Sequence, residues 1–311
     1  MKKEAKINVK MFRIVDDEAS FVKVYYLDKD AQEHSGLFLL DSCSNDNMLL
    51  TEMADRIGIP YVIGDKTKDV MTSSGDVITL QCAELSFALG GTQFHESFCL
   101  VDRELPRVVG DTPLIGILGS MFMLENRLVI DYSDFSFHTS DVSPKNLSIS
   151  DCDFFVPMGI GLENYGLPIL PIKQGEKEII ALADSGATHN TIAKQTIKDC
   201  GFDCVYLDGK DFIMGIGGEI EAEEALIKFN LLSLAECEDF VNESSYRSHF
   251  KVVPHYLITP PEGQCDANGE QLPPIEALIS SSFMAKEGWV LDFGAEIIYR
   301  RKTAALLKDA V

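Results

Sequence analysis

Hydrophobic and polar residues alternate along much of the chain. The clearest alternating runs are SFVKVYYL at 20–27, GDVITLQCAELSFAL at 75–89 and ENRLVIDYSDFSFH at 125–138. A period of two is typical of β-strands with one face buried and the other in solvent. The pattern therefore predicts an all-β protein built from many short strands.

Two kinds of short helix interrupt these strands. The first kind is predicted to begin at an asparagine N-cap, Asn47 or Asn190, and to end at a glycine in the C′ position, Gly58 or Gly201. The second kind is predicted in the segments SMFMLEN at 120–126 and SSFMAKE at 281–287. Each kind occurs once in each half of the chain.

The two halves are related by an internal repeat. FLLDSCSNDNML at 38–49 aligns with ALADSGATHNTI at 181–192 at an offset of 143, and VMTSSGDV at 70–77 aligns with IMGIGGEI at 213–220 at the same offset. The offset then becomes 161, where GILGSMFM at 116–123 aligns with ALISSSFM at 277–284 and VIDY at 129–132 with VLDF at 290–293. Segments that match in one order with one change of register indicate a duplicated unit. The second copy has 18 extra residues, which must lie between 221 and 276.

The repeat predicts two lobes, 1–145 and 146–311. The linker between them is predicted near 141–156, where Ser, Pro and Asn cluster and the alternation lapses. A Pro-rich stretch from Pro254 to Pro274 is predicted to be a loop that holds part of the insertion.

An Asp-Ser pair follows a buried strand in both copies. If a pseudo-twofold axis relates the copies, Asp41 and Asp184 face each other across it. Two adjacent carboxyl groups do not both ionise easily, so the pair holds one proton over a wide pH range. One carboxylate then acts as a general base on water and the other carboxyl as a general acid. His189 is expected to be a polar, exposed residue at a helix start, with a structural role or none. With no His near Cys43, a cysteine nucleophile is not favoured.

The repeated motifs resemble those of aspartic peptidases of the retropepsin-like and pepsin-like type. ADSGA at 183–187 is similar to the family's Asp-Thr/Ser-Gly-Ala/Ser signature, and GILG at 116–119 to its hydrophobic-hydrophobic-Gly segment. VMTSSGDV and IMGIGGEI lie where a flap hairpin is expected. The resemblance spans about 25–140 and 165–301. It implies a bilobal acid-protease fold, with a β-barrel-like lobe, short helices and a flap in each half.

The resemblance also implies roles for individual residues. The catalytic pair would be Asp41 and Asp184. The residues that support this pair would be Ser42, Cys43, Ser44, Ser185, Gly186 and Ala187. The flap residues that bind substrate would be Thr72, Ser73, Ser74 and Gly75 in the first lobe and Gly215, Ile216, Gly217 and Gly218 in the second. The implied activity is endopeptidase hydrolysis of a peptide or protein, with no cofactor or metal.

Two positions depart from the family pattern. Cys43 replaces a glycine, and a left-handed φ there would cost about 1–2 kcal/mol. With another φ, the Cys43 amide still supports Asp41. Ser280 replaces the glycine of the second hydrophobic-Gly segment and is expected to loosen it. These changes leave a second hypothesis open, in which the chain is a catalytically impaired peptide-binding module.

Charge and cysteine usage indicate which partners and which compartment to expect for the protein. Lys and Arg number 27 and Asp and Glu 49, which gives a net charge of −22 and disfavours nucleic-acid and membrane partners. The eight cysteines form no Cys-x-x-Cys pair, and no signal-like or membrane-spanning apolar run is present. We expect a cytoplasmic protein with free thiols, and a monomer, since one chain holds both aspartates.

Overall fold

The computed structural model describes residues 6–14, 17–28, 30–72, 77–102, 108–109, 112–140, 152–158, 167–215, 218–234, 241–259 and 274–302. In the first half the elements are β1 (Asn8–Lys10), β2 (Phe12–Ile14), β3 (Asp17–Leu27), β4 (Glu33–Asp41), β5 (Met48–Leu50), α1 (Thr51–Ile57), β6 (Tyr61–Met71), β7 (Val77–Leu89), β8 (Thr92–Val101), β9 (Val108–Val109), β10 (Thr112–Gly119), α2 (Ser120–Glu125), β11 (Leu128–Asp131) and β12 (Ser136–Thr139). In the second half they are β13 (Cys152–Pro157), β14 (Ile169–Gln174), β15 (Lys177–Asp184), β16 (Asn190–Ala193), α3 (Lys194–Cys200), β17 (Asp203–Gly215), β18 (Gly218–Leu234), β19 (Val241–Val253), β20 (Ala277–Ser280), α4 (Ser281–Glu287), β21 (Val290–Asp292) and β22 (Ile297–Arg301).

Each half forms a closed β-barrel with the same strand order. In the first, β3, β4, β10, β5, β8 and β7 are successive neighbours, and β7 pairs again with β3 at Tyr25↔Ala88. In the second, the corresponding strands β14, β15, β20, β16, β19 and β18 close at Ile172↔Leu231. The predicted all-β, two-lobed fold class is confirmed.

A third sheet joins the two lobes, with the strand order β1-β12-β11-β21-β22-β13. Its central strands, β11 and β21, are the VIDY and VLDF segments of the repeat. They pair antiparallel with Ile130 opposite Leu291, and these two residues are equivalent in the two copies. The pseudo-twofold axis therefore passes through this pair, and each lobe contributes three strands on its own side.

The structure corrects the predicted linker and helix starts. Strand β13 belongs to the shared sheet, so the linker predicted over 141–156 extends too far; residues 141–151 and the lobe boundary lie outside the described residues. Helices α1 and α3 end at Gly58 and Gly201, whose positive φ confirms the predicted stops. Asn47 and Asn190 are not N-caps, because the apolar residues that follow them complete strands β5 and β16 before either helix begins.

Some of the extra residues of the second copy lie in the β18–β19 hairpin. Pairing in the β18–β19 hairpin continues to Leu234↔Val241, whereas the β7–β8 hairpin ends at Leu89↔Thr92. The second hairpin is thus the longer of the two. Most of the Pro-rich segment, residues 260–273, lies outside the described residues. Among the described residues, no helix has the length and apolar character needed to cross a membrane.

Candidate active site

Asp41 and Asp184 are the last residues of equivalent barrel strands, β4 and β15. Both strands are largely buried up to the aspartate, and each pairs in parallel with the strand that carries the hydrophobic-Gly segment. Asp41 lies opposite Gly119, and Asp184 opposite Ser280. The burial of the preceding apolar residues therefore fixes where each carboxyl group leaves the barrel.

The turn after each aspartate holds its carboxylate in the same way. Asp41 Oδ1 accepts hydrogen bonds from the backbone N–H groups of Cys43 at 2.9 Å and Ser44 at 3.0 Å. Asp184 Oδ1 accepts them from Gly186 at 2.8 Å and Ala187 at 3.0 Å. Cys43 is not among the described residues with a positive φ, so the left-handed strain does not arise. Its amide takes the place of the glycine amide.

Two buried serines lock the turns of the two lobes together. Ser42 Oγ donates to the Ala183 carbonyl at 2.6 Å and accepts from the Ser185 N–H at 2.8 Å. Ser185 Oγ donates to the Leu40 carbonyl at 2.8 Å and accepts from the Ser42 N–H at 2.9 Å. Since both serines are fully buried, each bond lacks competition from water.

The Asp41 carboxyl group lies against the aspartate turn of the second lobe. A Cβ added to Gly186 would lie 2.7 Å from Asp41 Oδ2, so the Asp41 carboxylate lies against the turn that holds Asp184. Burial, followed by the nearby Asp41 charge, raises the pKa of Asp184 to about 8. Burial also raises the pKa of Asp41, against the opposing effect of its two amide donors. The pair therefore holds a proton at neutral pH.

The first residues of helices α2 and α4 hold the two turns from the rear. The Ser44 carbonyl accepts from the Ser120 N–H at 2.7 Å, and the Ala187 carbonyl accepts from the Ser281 N–H at 2.9 Å. Ser44 Oγ donates within its own turn to the Asp46 carbonyl at 2.8 Å. The supporting residues expected from the sequence therefore lie together around the two aspartates.

Ser280 and the two asparagines have roles that differ from those predicted. Asn47 Oδ1 accepts from the Gly119 N–H at 3.0 Å, and Asn190 Oδ1 accepts from the Ser280 N–H at 2.9 Å. Ser280 Oγ also donates to Asn190 Oδ1 at 3.1 Å and, as the N-cap of α4, accepts from the Phe283 N–H at 3.3 Å. Ser280 does not loosen this segment, since its hydroxyl is buried and doubly bonded.

The flap residues are described only in part. The arms β6 and β7 pair as far as Met71↔Val77, and β17 and β18 pair as far as Gly215↔Gly218. Thr72, Gly215 and Gly218 lie at the described ends of these arms, and Thr72 is buried. The other predicted flap residues, Ser73, Ser74, Gly75, Ile216 and Gly217, lie outside the described residues.

Comparison with known proteins supports the same architecture. Residues 27–122 match the family model described as aspartyl protease. The structure of an aspartic proteinase from Irpex lacteus is similar over 96% of this chain and 98% of that one, with a TM-score of 0.52 and 12% identity. The chain has the pepsin-like aspartic peptidase fold. Basic 7S globulin from soybean has a similar structure, with a TM-score of 0.50 and 12% identity over 96% of this chain and 95% of that one. No curated protein sequence matches the chain.

Each lobe of this pepsin-like fold also carries a charged cluster at the base of its flap. In the first lobe, Lys68 on flap strand β6 forms an ion pair with Asp46, just after the aspartate turn. In the second lobe, Lys251 on β19 forms ion pairs with Asp211 and Glu224. Hydrogen bonding to Lys251 is the main reason that the pKa of Asp211 lies below its ordinary value.

The sequence did not predict these clusters, although charged residues stand at aligned positions of the repeat. At the offset of 143, Lys68 aligns with Asp211, so an acidic residue stands in the second lobe where the first has a lysine, and Asp46 aligns with His189. His189 is exposed as expected, but it precedes strand β16 rather than a helix. Among the described residues, no group of His, Cys, Asp or Glu is arranged to hold a metal ion.

Proposed function

We propose that this protein is an aspartic endopeptidase that cleaves peptide bonds with water held by Asp41 and Asp184. The observation that carries the proposal is the reciprocal bonding of Ser42 and Ser185, which fixes the two aspartate turns against each other. A rigid pair of carboxyl groups that shares one proton offers a general base and a general acid at one place.

The proposed reaction needs no covalent intermediate. The ionised carboxylate takes a proton from water as the water oxygen bonds to the peptide carbonyl carbon, and the protonated carboxyl gives its proton to the carbonyl oxygen. In the resulting diol the proton roles reverse. The group that gained the water proton protonates the amide nitrogen, the C–N bond breaks, and the other carboxylate takes a hydroxyl proton. The products are a carboxylic acid and an amine, and the pair returns to its starting proton count.

The proposed substrate is an extended peptide or protein segment lying in the cleft between the lobes. The flap arms β6–β7 and β17–β18 offer strand edges with which such a segment forms main-chain hydrogen bonds. A single chain supplies both aspartates, so we propose that the monomer is active. We also propose a cytoplasmic location, supported by free thiols at the described cysteines Cys43, Cys82, Cys99, Cys152, Cys200 and Cys204.

The second candidate function is a peptide-binding module without catalysis. It rests on Cys43 and Ser280, which replace family glycines. The Cys43 amide still donates to Asp41, and the Ser280 hydroxyl has two partners, so neither substitution weakens the support of the aspartates. We therefore place hydrolysis ahead of binding alone.

The test compares Asp184→Asn with Asp131→Asn. Asp184→Asn is expected to lower cleavage of a denatured protein at least about 1000-fold, because it removes one of the two proton-transfer groups. The fold should persist, since asparagine resembles the protonated Asp184. Asp131 is a buried aspartate of the shared sheet, and Asp131→Asn should retain activity.

Two outcomes would contradict the proposal. Cleavage by Asp184→Asn at the wild-type rate would show that the aspartate pair is not the catalytic centre. Absence of cleavage by wild-type protein between about pH 4 and 8, together with peptide binding, would favour the binding module. Binding of a statine-type inhibitor by the wild type, lost in Asp184→Asn, provides an independent readout.

A further inference from the structure

The aspartate turns of the two lobes differ in one side chain. Cys43 and Gly186 occupy equivalent positions, and their amides make equivalent bonds to Asp41 and Asp184. At Gly186 no side chain fits, because a Cβ would lie 2.6 Å from the Asp41 Cγ. In the first lobe the equivalent position carries a thiol. The aspartate pair is therefore asymmetric although the chain is duplicated.

The Cys43 side chain extends across the axis to the second lobe. Its Sγ lies 3.8 Å from the carbonyl oxygen of Ala183, the residue before Asp184. Its side chain also packs against an apolar cluster formed by Leu167, Leu182 and Ile275. The Cys43 side chain thus places non-polar atoms beside the end of the strand that carries Asp184.

The two aspartates accordingly differ in access to solvent. Asp184 is only 8% exposed, whereas Asp41 is half-buried. Gly186 offers no side chain to cover Asp41. The ionised form of a carboxyl group gains less hydration in the drier of two places, so the proton is held more strongly there.

The thiol itself adds no charge. Burial, followed by the charges of Asp184 and Asp41, raises the pKa of Cys43 well above its ordinary value. Among the described residues, the titratable groups placed against Asp184 are thus the Asp41 carboxyl and this neutral thiol. The paired strand β20 contributes Ser280, which is uncharged.

We propose that Cys43 assigns the shared proton of the pair to Asp184 and leaves Asp41 as the ionised group. The inference rests on the proposed function for its chemical meaning. Asp41 is then the base that takes the proton from water, and Asp184 is the acid that protonates the peptide carbonyl. Cys43 is a positioning residue that acts through the dryness of Asp184 and does not touch the reacting atoms.

The test is the pH dependence of thermal unfolding, which needs no substrate. The pKa of an aspartate in the unfolded chain is about 4, and burial raises the pKa of folded Asp184 to about 8. Between these values the folded state keeps a proton that the unfolded chain releases, so the melting temperature falls as pH rises. Above the folded pKa this decline ends. The pH at which it ends is the quantity to measure.

Cys43→Gly is expected to move that end point down by at least about one pH unit, because water reaches Asp184. Cys43→Ala removes only the thiol, so its end point should lie between those of Cys43→Gly and the wild type. This variant provides the test if the glycine variant does not fold. Cys204→Ala is the matched control, since Cys204 is also half-buried but lies on strand β17. It should leave the end point unchanged.

Aspartate variants test which group holds the proton. Asp184→Asn should remove the decline in melting temperature that continues up to the pKa of folded Asp184, whereas Asp41→Asn should keep such a decline. The opposite result, or an end point that neither Cys43 variant moves, would overturn the inference. Failure of the wild type to cleave peptides, with these shifts present, would instead refute the proposed function and leave the assignment of the proton intact.

Discussion

The two lobes share a strand order but differ in how closely the segment behind the aspartate turn approaches it. In the first lobe this segment has Gly116 and Gly119. A Cβ at Gly116 would lie 2.1 Å from the Met48 carbonyl oxygen, and a Cβ at Gly119 2.6 Å from the Ser44 carbonyl oxygen. In the second lobe the equivalent residues are Ala277 and Ser280, and both side chains are buried. Gly119 has a φ of −88°, so close approach rather than backbone conformation requires glycine there.

The charged clusters at the base of the two flaps take their lysines from strands that are not equivalent. Lys251 is the register partner of both Thr191 and Glu224, and in the first lobe Cys99 has the same relation to Met48 and Cys82. Cys99 thus occupies the place of Lys251. The first lobe supplies its cation from the flap strand, and the second from the strand behind it. Both lobes thus have a lysine ion pair beneath the flap, but these two lysines, Lys68 and Lys251, lie on strands that are not equivalent.

The largest expected effect comes from exchanging the residues behind the turns. Gly119→Ser should destabilise the protein by about 3 kcal/mol, because backbone oxygens crowd the added Cβ. Ser280→Gly should cost less than about 1 kcal/mol, since glycine is itself tolerated at an N-cap. Urea unfolding of both variants measures the difference.

This comparison carries its own control, because each variant introduces the residue of the other lobe. Equal losses of stability in the two variants would mean that the two lobes are packed equally closely behind their aspartate turns, which would contradict the closer approach in the first lobe.

The second prediction concerns the feature that the lobes share. Ser42→Ala and Ser185→Ala should each lower the free energy of unfolding by about 2 kcal/mol, because each removes a side-chain partner from a buried N–H and from a buried carbonyl. The two losses should be nearly equal. A double-mutant cycle should show that they are not additive, since the serines bond to each other's turns. Additive losses would argue against a joint lock.

The smallest expected effect distinguishes the two cations. The Lys251 side chain is 4% exposed and that of Lys68 is 54% exposed. Lys251→Met should therefore cost about 1.5 kcal/mol and Lys68→Met about 0.5 kcal/mol. Chemical denaturation in low and high salt measures both. A Lys68 loss as large as the Lys251 loss would show that burial does not set the strength of these pairs.

Much of the architecture was predictable because it depends on local patterns. Alternation identified the strands, and a glycine after an apolar turn gave the ends of α1 and α3. The pairing of Asp41 with Asp184 as equivalent strand ends followed from the repeat. The helix starts were not predictable in the same way, because Asn47 and Asn190 bond to a strand about 70 to 90 residues further along.

Other features depend on contacts that a repeat does not encode. The equivalence of Cys99 and Lys251 lies between the two offsets of the repeat, where the longer β18–β19 hairpin shifts the alignment. The tolerance of Ser280 depends on the room behind the second turn. The position of the Cys43 side chain depends on an apolar cluster of the other lobe. Each is a property of three-dimensional packing.

The shared sheet has a consequence for the order in which the molecule assembles. Strand β11 ends at Asp131, yet its partner β21 begins only at Val290, so the chain must be synthesised as far as β21 before the two meet. Until then β11 exposes one edge, and unpaired strand edges attract other strands. The first barrel has all its strands by Gly119 and so has its own sequence complete well before its junction with the second. The junction between the two lobes therefore forms only after the strands of the second barrel have been synthesised.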